Sequence, residues 1–339
     1  MDAVNRYGSG VGLHVGDREV CVARHDGEGV VVHSQPALMA LVSPEALSGT
    51  RWENNQVHYS GEALLVGDSV LEARGIPAVS EGTMPCGRLD IHRPPAEFAL
   101  GRLLEHLLGL GPAPAPGHPC VVAEPAPAIG FGREPLFHAT VLQDVVRTLG
   151  YSPYGVEEGR AVALAENGNA ETNLLAFSCD DRFVQGCLSF RGITGINFSM
   201  EPGGSWIDEQ VAMALEVPLD DVRRIRKSCH RILIPQSRAE EAVLVYSRAF
   251  VQRMWKRLSK FLEEQGTPLF SDPVDAVWAG PWRVPEDFGE LLLRESRNTG
   301  FCVPFRSIRS SKEGPTAVAR GCLEVARRLE EEMRPGRAT

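Results

Sequence analysis

The stretch "GLHVGDREVCVA", Gly12 to Ala23, decides how the rest of the chain is read. Leu13 and Val15 alternate with their neighbours on one arm, Val20 and Val22 on the other, and a Gly-Asp pair stands at the bend. Alternation with a period of two on either side of a glycine-containing bend is the pattern of a β-hairpin. The bend, with Gly12 and Gly16 near it, looks like a turn that cradles phosphate. Yet His14 stands where such a turn would offer a carboxylate to hold a metal through water. A second stretch, "TNLLAFSCDDRFVQGCLSF" from Thr172 to Phe190, reads as another pair of strands.

Outward from these hairpins the chain alternates between strand and helix patterns. "GVVVHSQPALMALV" and "NNQVHYS" are short β-branched or alternating runs punctuated by Gly, Pro and Asn. In "PPAEFALGRLLEHLLGLG" the residues Phe98, Leu100, Leu103, Leu104, Leu107 and Leu108 recur at helical spacing; Pro94 and Pro95 suit its start, Gly109 and Gly111 its stop. "CVVAEPAPA" is a buried strand entering a Pro-rich loop. "REPLFHATVLQDVVRTLG" is a helix closed by Gly150, and "EEGRAVALAENG" a short further one. After the second hairpin come a β segment, "GITGINFSMEPGG", and the amphipathic helix "LVYSRAFVQRMWKRLSKFLEEQG" with its basic residues on a solvated face. The strand "DAVWAG" and the closing helix "PTAVARGCLEVARRLEEEM" complete the order. Two strand blocks with helices, each opened by a hairpin, predict two related α/β domains facing a central cleft, where ligands preferentially sit. The expected boundaries are 1–155 with 315–339 for the first domain, carrying a smaller inserted subdomain at 36–90. The second domain takes 156–314, with 205–270 mostly helical.

Composition narrows the function classes. The chain has 339 residues, 43% hydrophobic and 23% charged, enough for a substantial core. A net charge of -9 argues against a large nucleic-acid footprint, which is usually met by a concentrated basic surface, and equally against a membrane surface. No run approaches the roughly 18 apolar residues of a membrane span, and the N-terminus "MDAVNRYGSG" lacks the pattern of a signal peptide, so a cytoplasmic protein is expected. Eight cysteines without zinc-ligand spacing are expected as free, mostly buried thiols.

Six segments, in order and spacing, resemble one family. "VGDSVLEARG" (66–75) and "MPCGRLDIHRPPAEFALGRLLEHLL" resemble the part of actins where a Gly-Asp-Glu-Ala stretch leads to a Pro-x-x-x-Gly turn and a helix. The segment 123–168, opening "AEPAPAIGFGRE", is similar to the actin stretch with an acidic-Pro strand end, an Arg-Glu pair and two helices. "PGGSWIDEQVAMAL", "VRRIRKSCHRI" and "VPFRSIRSSKEGPTAVARGCLEVA" are similar to the glycine turn after the second phosphate hairpin, the helix flanking the nucleotide, and the closing loop and helix. The chain is identified as an actin-like protein, a bacterial actin-related member of the actin, sugar-kinase and heat-shock-chaperone superfamily. The fold implied is the actin-like α/β fold.

That resemblance implies an ATP or ADP site with Mg²⁺, and this chain departs from it at several positions. The two acidic positions that hold Mg²⁺ through water match His14 and Ser178; imidazole is a poor magnesium partner. Cys179, Asp180 and Asp181 fill the turn where the family has glycines, and Asp17, Asp180 and Asp181 are the alternative metal candidates. Gly203 and Gly204 match a phosphate-facing turn. Arg226 matches the basic residue over the base, and Lys227 the acid that would accept from the ribose. Gly280, Pro281 and Trp282 replace a Gly-Gly turn on the adenosine side. The water-positioning residue falls among Glu158, Gly159 and Arg160. The resulting expectation is a cytoskeletal or scaffold protein that assembles into filaments of itself, with ATP hydrolysis weakened or lost. An active ATPase with rearranged metal ligands and a pseudo-ATPase that docks another protein are the alternatives.

Overall fold

The Gly12–Ala23 stretch folds back because its alternating apolar residues have two different surfaces to bury. The computed structural model describes residues 10–51, 57–73, 75–76, 80–84, 88–90, 92–114, 117–129, 136–167, 172–266, 273–280 and 285–333. In chain order the strands are β1 (Val11–Val15), β2 (Glu19–His25), β3 (Val30–Pro36), β4 (Leu38–Val42), β5 (Val57–Tyr59), β6 (Glu62–Val66), β7 (Ser80–Gly82), β8 (Pro119–Glu124), β9 (Ser152–Glu157), β10 (Leu174–Cys179), β11 (Val184–Phe190), β12 (Ile193–Met200), β13 (Val274–Ala279) and β14 (Phe305–Ser310). The helices are α1 (Asp68–Glu72), α2 (Pro94–Gly109), α3 (Leu136–Thr148), α4 (Glu158–Asn167), α5 (Ser205–Leu215), α6 (Leu219–Ser228), α7 (Arg238–Glu264), α8 (Phe288–Thr299) and α9 (Ala317–Met333).

The chain divides into two compact units. The first comprises Met1–Glu124, Pro135–Val156 and Ala319–Thr339. Its main sheet runs β3-β2-β1-β8-β9, with β1 antiparallel to β2 and parallel to β8. Val11, Leu13 and Val15 bury against α2 and α3 side chains such as Leu103, Leu107, Leu142 and Val146. The alternate residues of the hairpin, Cys21 and Ala23 among them, pack on Ala319 and Leu323 of α9. A second sheet of this unit, β5-β6-β4-β7, packs Met39 and Leu64 on Ala96 and Ala99 of α2.

Of two glycines expected to close helices, one has a different reason to be there. Gly111 does not cap α2: a Cβ on it would lie 1.4 Å from Nη1 of Arg24, so its missing side chain makes room for that guanidinium. Arg24 is buried and donates to the carbonyls of Leu107 (3.3 Å) and Leu108 (2.6 Å), placing a cation on the negative end of the helix. Gly150, by contrast, takes φ +90° after α3, a conformation a side chain disfavours.

The second unit comprises Pro125–Glu134 and Glu157–Val318. Its sheet runs β12-β11-β10-β13-β14, the same order of hairpin, third antiparallel strand and parallel partners. One face carries an aromatic core in which Phe177 meets Phe198 (6.1 Å between ring centroids), Trp255 (5.8 Å) and Trp278 (5.7 Å). Trp255 is fully buried and donates its indole N–H to the Leu292 carbonyl at 3.1 Å, so its polar atom does not go unpaired. α7 starts six residues earlier than its apolar stripe suggests, because Ser237 caps it through the Glu240 N–H (3.2 Å) while the Glu240 carboxylate accepts from the Gln236 N–H (2.7 Å). Among the described residues, no helix is long and apolar enough to cross a membrane.

Among the described glycines of the first unit, Gly12 is where a helix backbone lies closest against a strand. A Cβ there would fall 2.1 Å from the Ala319 carbonyl oxygen and 2.3 Å from the Leu323 nitrogen, both backbone atoms of α9. Gly12→Ala is therefore expected to lower stability by about 3 kcal/mol or more, beyond ordinary overpacking, or to prevent folding. Gly29→Ala, with nothing near its added carbon, should stay within about 0.5 kcal/mol. Urea unfolding followed by circular dichroism compares the two.

Candidate nucleotide site

The first turn is short and closed on itself. The Gly16 N–H donates to the Glu19 carbonyl at 2.9 Å, and Asp17 stands half-buried at the bend. His14 faces the same side as Gly12, opposite Cys21 in the β1–β2 register, and is 2% exposed. It is a packed strand residue on the α9 side of the sheet.

The second turn is built differently. Ser178 and Cys179 end β10, and the chain turns through Asp180, Asp181 and Arg182, with the Asp180 N–H donating to the Phe183 carbonyl at 2.9 Å. The Gly203-Gly204 segment seats on this turn by backbone contact. A Cβ on Gly203 would lie 2.5 Å from the Asp180 carbonyl oxygen, and the N–H groups of Gly204 and Ser205 donate to the carbonyls of Asp180 (2.8 Å) and Asp181 (2.9 Å). Gly280, at φ +114°, abuts Cys179 in the same way, its missing Cβ 2.4 Å from the Cys179 oxygen. Gly203 and Gly280 are required by close approach of main chain to main chain, whereas Gly204 takes a helical φ of -66° and contributes its N–H. Pro281 and Trp282 lie outside the described residues.

Register then brings together a polar row that spacing alone does not reveal. Ser199, Gln185, Ser178 and Ala279 are successive cross-strand neighbours on β12, β11, β10 and β13. Gln185 is 5% exposed; its side-chain oxygen accepts the Ala126 N–H at 2.8 Å and its amide nitrogen donates to the carboxylate of Glu158, the first residue of α4. Glu158 is itself buried, whereas Arg160 is exposed. Gly159 lets α4 rest on the β11 backbone, since its Cβ would lie 2.3 Å from the Gly186 carbonyl carbon. The hydroxyls of Ser178 and Ser199 are buried and make no hydrogen bond among the described residues. Gln185 and Ser199 are the polar members of this group that sequence reasoning missed; only the register of β10, β11 and β12 identifies them.

Arg226 has a partner of its own. Its Nε and Nη2 donate to the two carboxylate oxygens of Asp208 at 2.6 and 3.0 Å, and both side chains are 1% exposed. The bidentate pair bolts α6 to α5. Lys227, the next residue, is exposed. The local electrostatics are set by burial: it pushes the Cys179 thiol well above its ordinary range, with the charges of Asp180 and Asp181 adding to the effect. Burial likewise raises Cys187 to about 12, so these thiols stay protonated and unreactive at neutral pH.

The donor set can be tested against the metal the fold implies. Mg²⁺ prefers carboxylate and water oxygens. His14 supplies an imidazole and Ser178 a neutral hydroxyl, so the two strand positions do not fit Mg²⁺.

Two five-stranded sheets of identical strand order, each led by a hairpin and covered by helices, define an actin-like fold. Solved structures agree. A MamK double helical filament aligns over 96% of this chain and 99% of that one, with a TM-score of 0.68 at 16% identity. MreB5 of Spiroplasma citri bound to AMPPNP aligns over 96% and 97%, with a TM-score of 0.68 at 12% identity. The ethanolamine utilization protein EutJ from Carboxydothermus hydrogenoformans aligns over 93% and 88%, with a TM-score of 0.52 at 15% identity. No curated protein matches the sequence. The Volactin family model matches residues 10–326, and the chain belongs to that family.

The buried ion pair yields a sharp expectation. Asp208→Leu or Arg226→Met alone leaves an uncompensated buried charge and should cost about 3–5 kcal/mol, whereas the double variant Asp208→Leu with Arg226→Met should recover most of that loss. Chemical denaturation of the four proteins measures the coupling.

Proposed function

We propose that the chain is the subunit of an actin-like cytoskeletal or scaffold assembly in the cytoplasm, a polymer of itself in which magnesium-dependent ATP hydrolysis is weakened or lost. The observation that carries this reading is the pair His14 and Ser178, a buried imidazole and a buried hydroxyl at the strand positions matched to metal-anchoring carboxylates. Support for assembly comes from the likeness to MamK in its double helical filament. A contact repeated head to tail, with a rotation that does not close, makes a filament without needing chemistry. The turn glycines support the same view, because Gly203 and Gly280 are taken up by main-chain packing and the Gly204 N–H by the Asp180 carbonyl.

One feature favours the alternative of an active ATPase with rearranged ligands. Glu158 is a buried carboxylate held in place by Gln185, which Ala126 fixes in turn. A preorganised acceptor of this kind can orient water. In this second reading Asp17, Asp180 or Asp181 would be the metal partner.

Three measurements separate the readings. Sedimentation and negative-stain microscopy should show polymer without added nucleotide, and little change with ATP and Mg²⁺; protein that stays monomeric in both conditions would overturn the assembly reading. A site with nucleotide at about 100 times its Kd would add about 2.7 kcal/mol to stability, several degrees in a thermal melt. We expect no such shift at millimolar ATP or ADP. Phosphate release should sit at background and be unaltered by Glu158→Gln, Asp180→Ala or Asp181→Ala; turnover abolished by Glu158→Gln establishes the ATPase reading instead.

A further inference from the structure

Within the first unit, a cavity of about 330 Å³ opens between the small sheet and α2. Its walls come from β3, β5, β6, α1 and α2. The floor is apolar, formed by Val57, Leu64, Val66 and Leu103, and Leu64 and Leu103 are 5% and 1% exposed. That volume is at the lower end of the range of small-molecule pockets, which are mostly apolar with a few placed polar groups.

The polar side is held rigidly. Gln35 and Asp68 clasp each other: the Gln35 amide donates to the Asp68 carboxylate at 2.9 Å, and the Asp68 N–H donates to the Gln35 side-chain oxygen at 2.8 Å. Gly67, at φ +61°, permits this clasp, because a Cβ there would stand 2.3 Å from the Gln35 oxygen. The Ser69 hydroxyl is used by both the N–H and the carbonyl of Val66, at 3.0 and 2.6 Å. Gln35 and Ser69 are thereby committed to the wall.

The capacity left over is a guanidinium and an imidazole. Arg102 and His106 stand one turn apart on α2 and both line the cavity. Arg102 pairs with Glu105 through one of its guanidinium nitrogens, Nη1, and both side chains are exposed. Among the described residues nothing engages the other guanidinium nitrogens or the His106 imidazole. An apolar floor with a guanidinium and an imidazole at its rim suits a molecule with an apolar body and an anionic head.

We propose that this cavity binds a small amphipathic carboxylate, its apolar body on Val57, Leu64, Val66 and Leu103 and its carboxylate on Arg102 with His106 beside it. The ligand would bridge β5 and β6 of the small sheet to α2 beneath the main sheet, and so fix the small sheet on the unit. This site is separate from the phosphate turns and does not depend on the nucleotide reading.

Calorimetry on the full chain with 4-phenylbutanoate, and with its neutral amide as comparison, tests the assignment. The carboxylate should bind about 10-fold more tightly than the amide, and Arg102→Gln should remove that difference, since a charge-assisted hydrogen bond to guanidinium accounts for about one decade. Val57→Trp, which fills the cavity from a half-buried edge strand, should abolish binding of both compounds. Hydrogen exchange in β5 and β6 should slow on addition of the carboxylate. Absence of binding at about 5 mM, equal affinity for acid and amide, or binding that survives Val57→Trp would each overturn the proposal. Should Val57→Trp unfold, the acid and amide pair with Arg102→Gln decides it alone, because Arg102 is an exposed side chain.

Discussion

The main chain at Asp180 is where the second unit is tied together. Its carbonyl accepts the Gly204 N–H, its own N–H closes the turn on Phe183, and Gly203 lies against it with no room for a side chain. One residue earlier, Cys179 is met by Gly280 at the end of β13. Hydrogen bonds between backbone groups this close leave no freedom in the turn's shape, because every buried N–H and carbonyl must keep its partner. The side chains of the turn grade outward: Asp180 is buried, Asp181 half-buried and Arg182 exposed.

The same economy governs the charges. Asp208 with Arg226, Glu166 with Arg309, and Glu295 with Arg248 are carboxylates 1% exposed, each answered by a guanidinium. Asp287 accepts the N–H groups of Ile232 and Leu233 at 2.7 and 3.0 Å, fixing the connection between α6 and α7 to the start of α8. Burying a carboxylate without such partners would cost several kcal/mol. In this unit the buried acids serve as fasteners between elements.

Much of the fold was legible because its signals are local. Period-two alternation around Gly16-Asp17 gave the first hairpin, helical spacing of Leu100 to Leu108 gave α2, and the repeat of a hairpin-led block gave two matching sheets. What was not legible depends on partners distant in sequence. Arg226 reads as an available cation until α5 is packed on α6 and Asp208 is found opposite it. Gln185 reads as an ordinary strand residue until the register puts it beside Ser178 and brings Glu158 to it. The early start of α7 is written in Ser237 and Glu240, which have the spacing of a capping box and precede the apolar stripe. Gly111 reads as a helix stop, and only the long reach of Arg24 across the unit gives its true reason.

At Gly159, α4 touches β11 through backbone alone. A single methyl group there would lift the helix and carry Glu158 away from Gln185. The bare position beneath the helix therefore admits almost no exchange, and this stretch of the chain is fixed by a side chain that is absent rather than by one that is present.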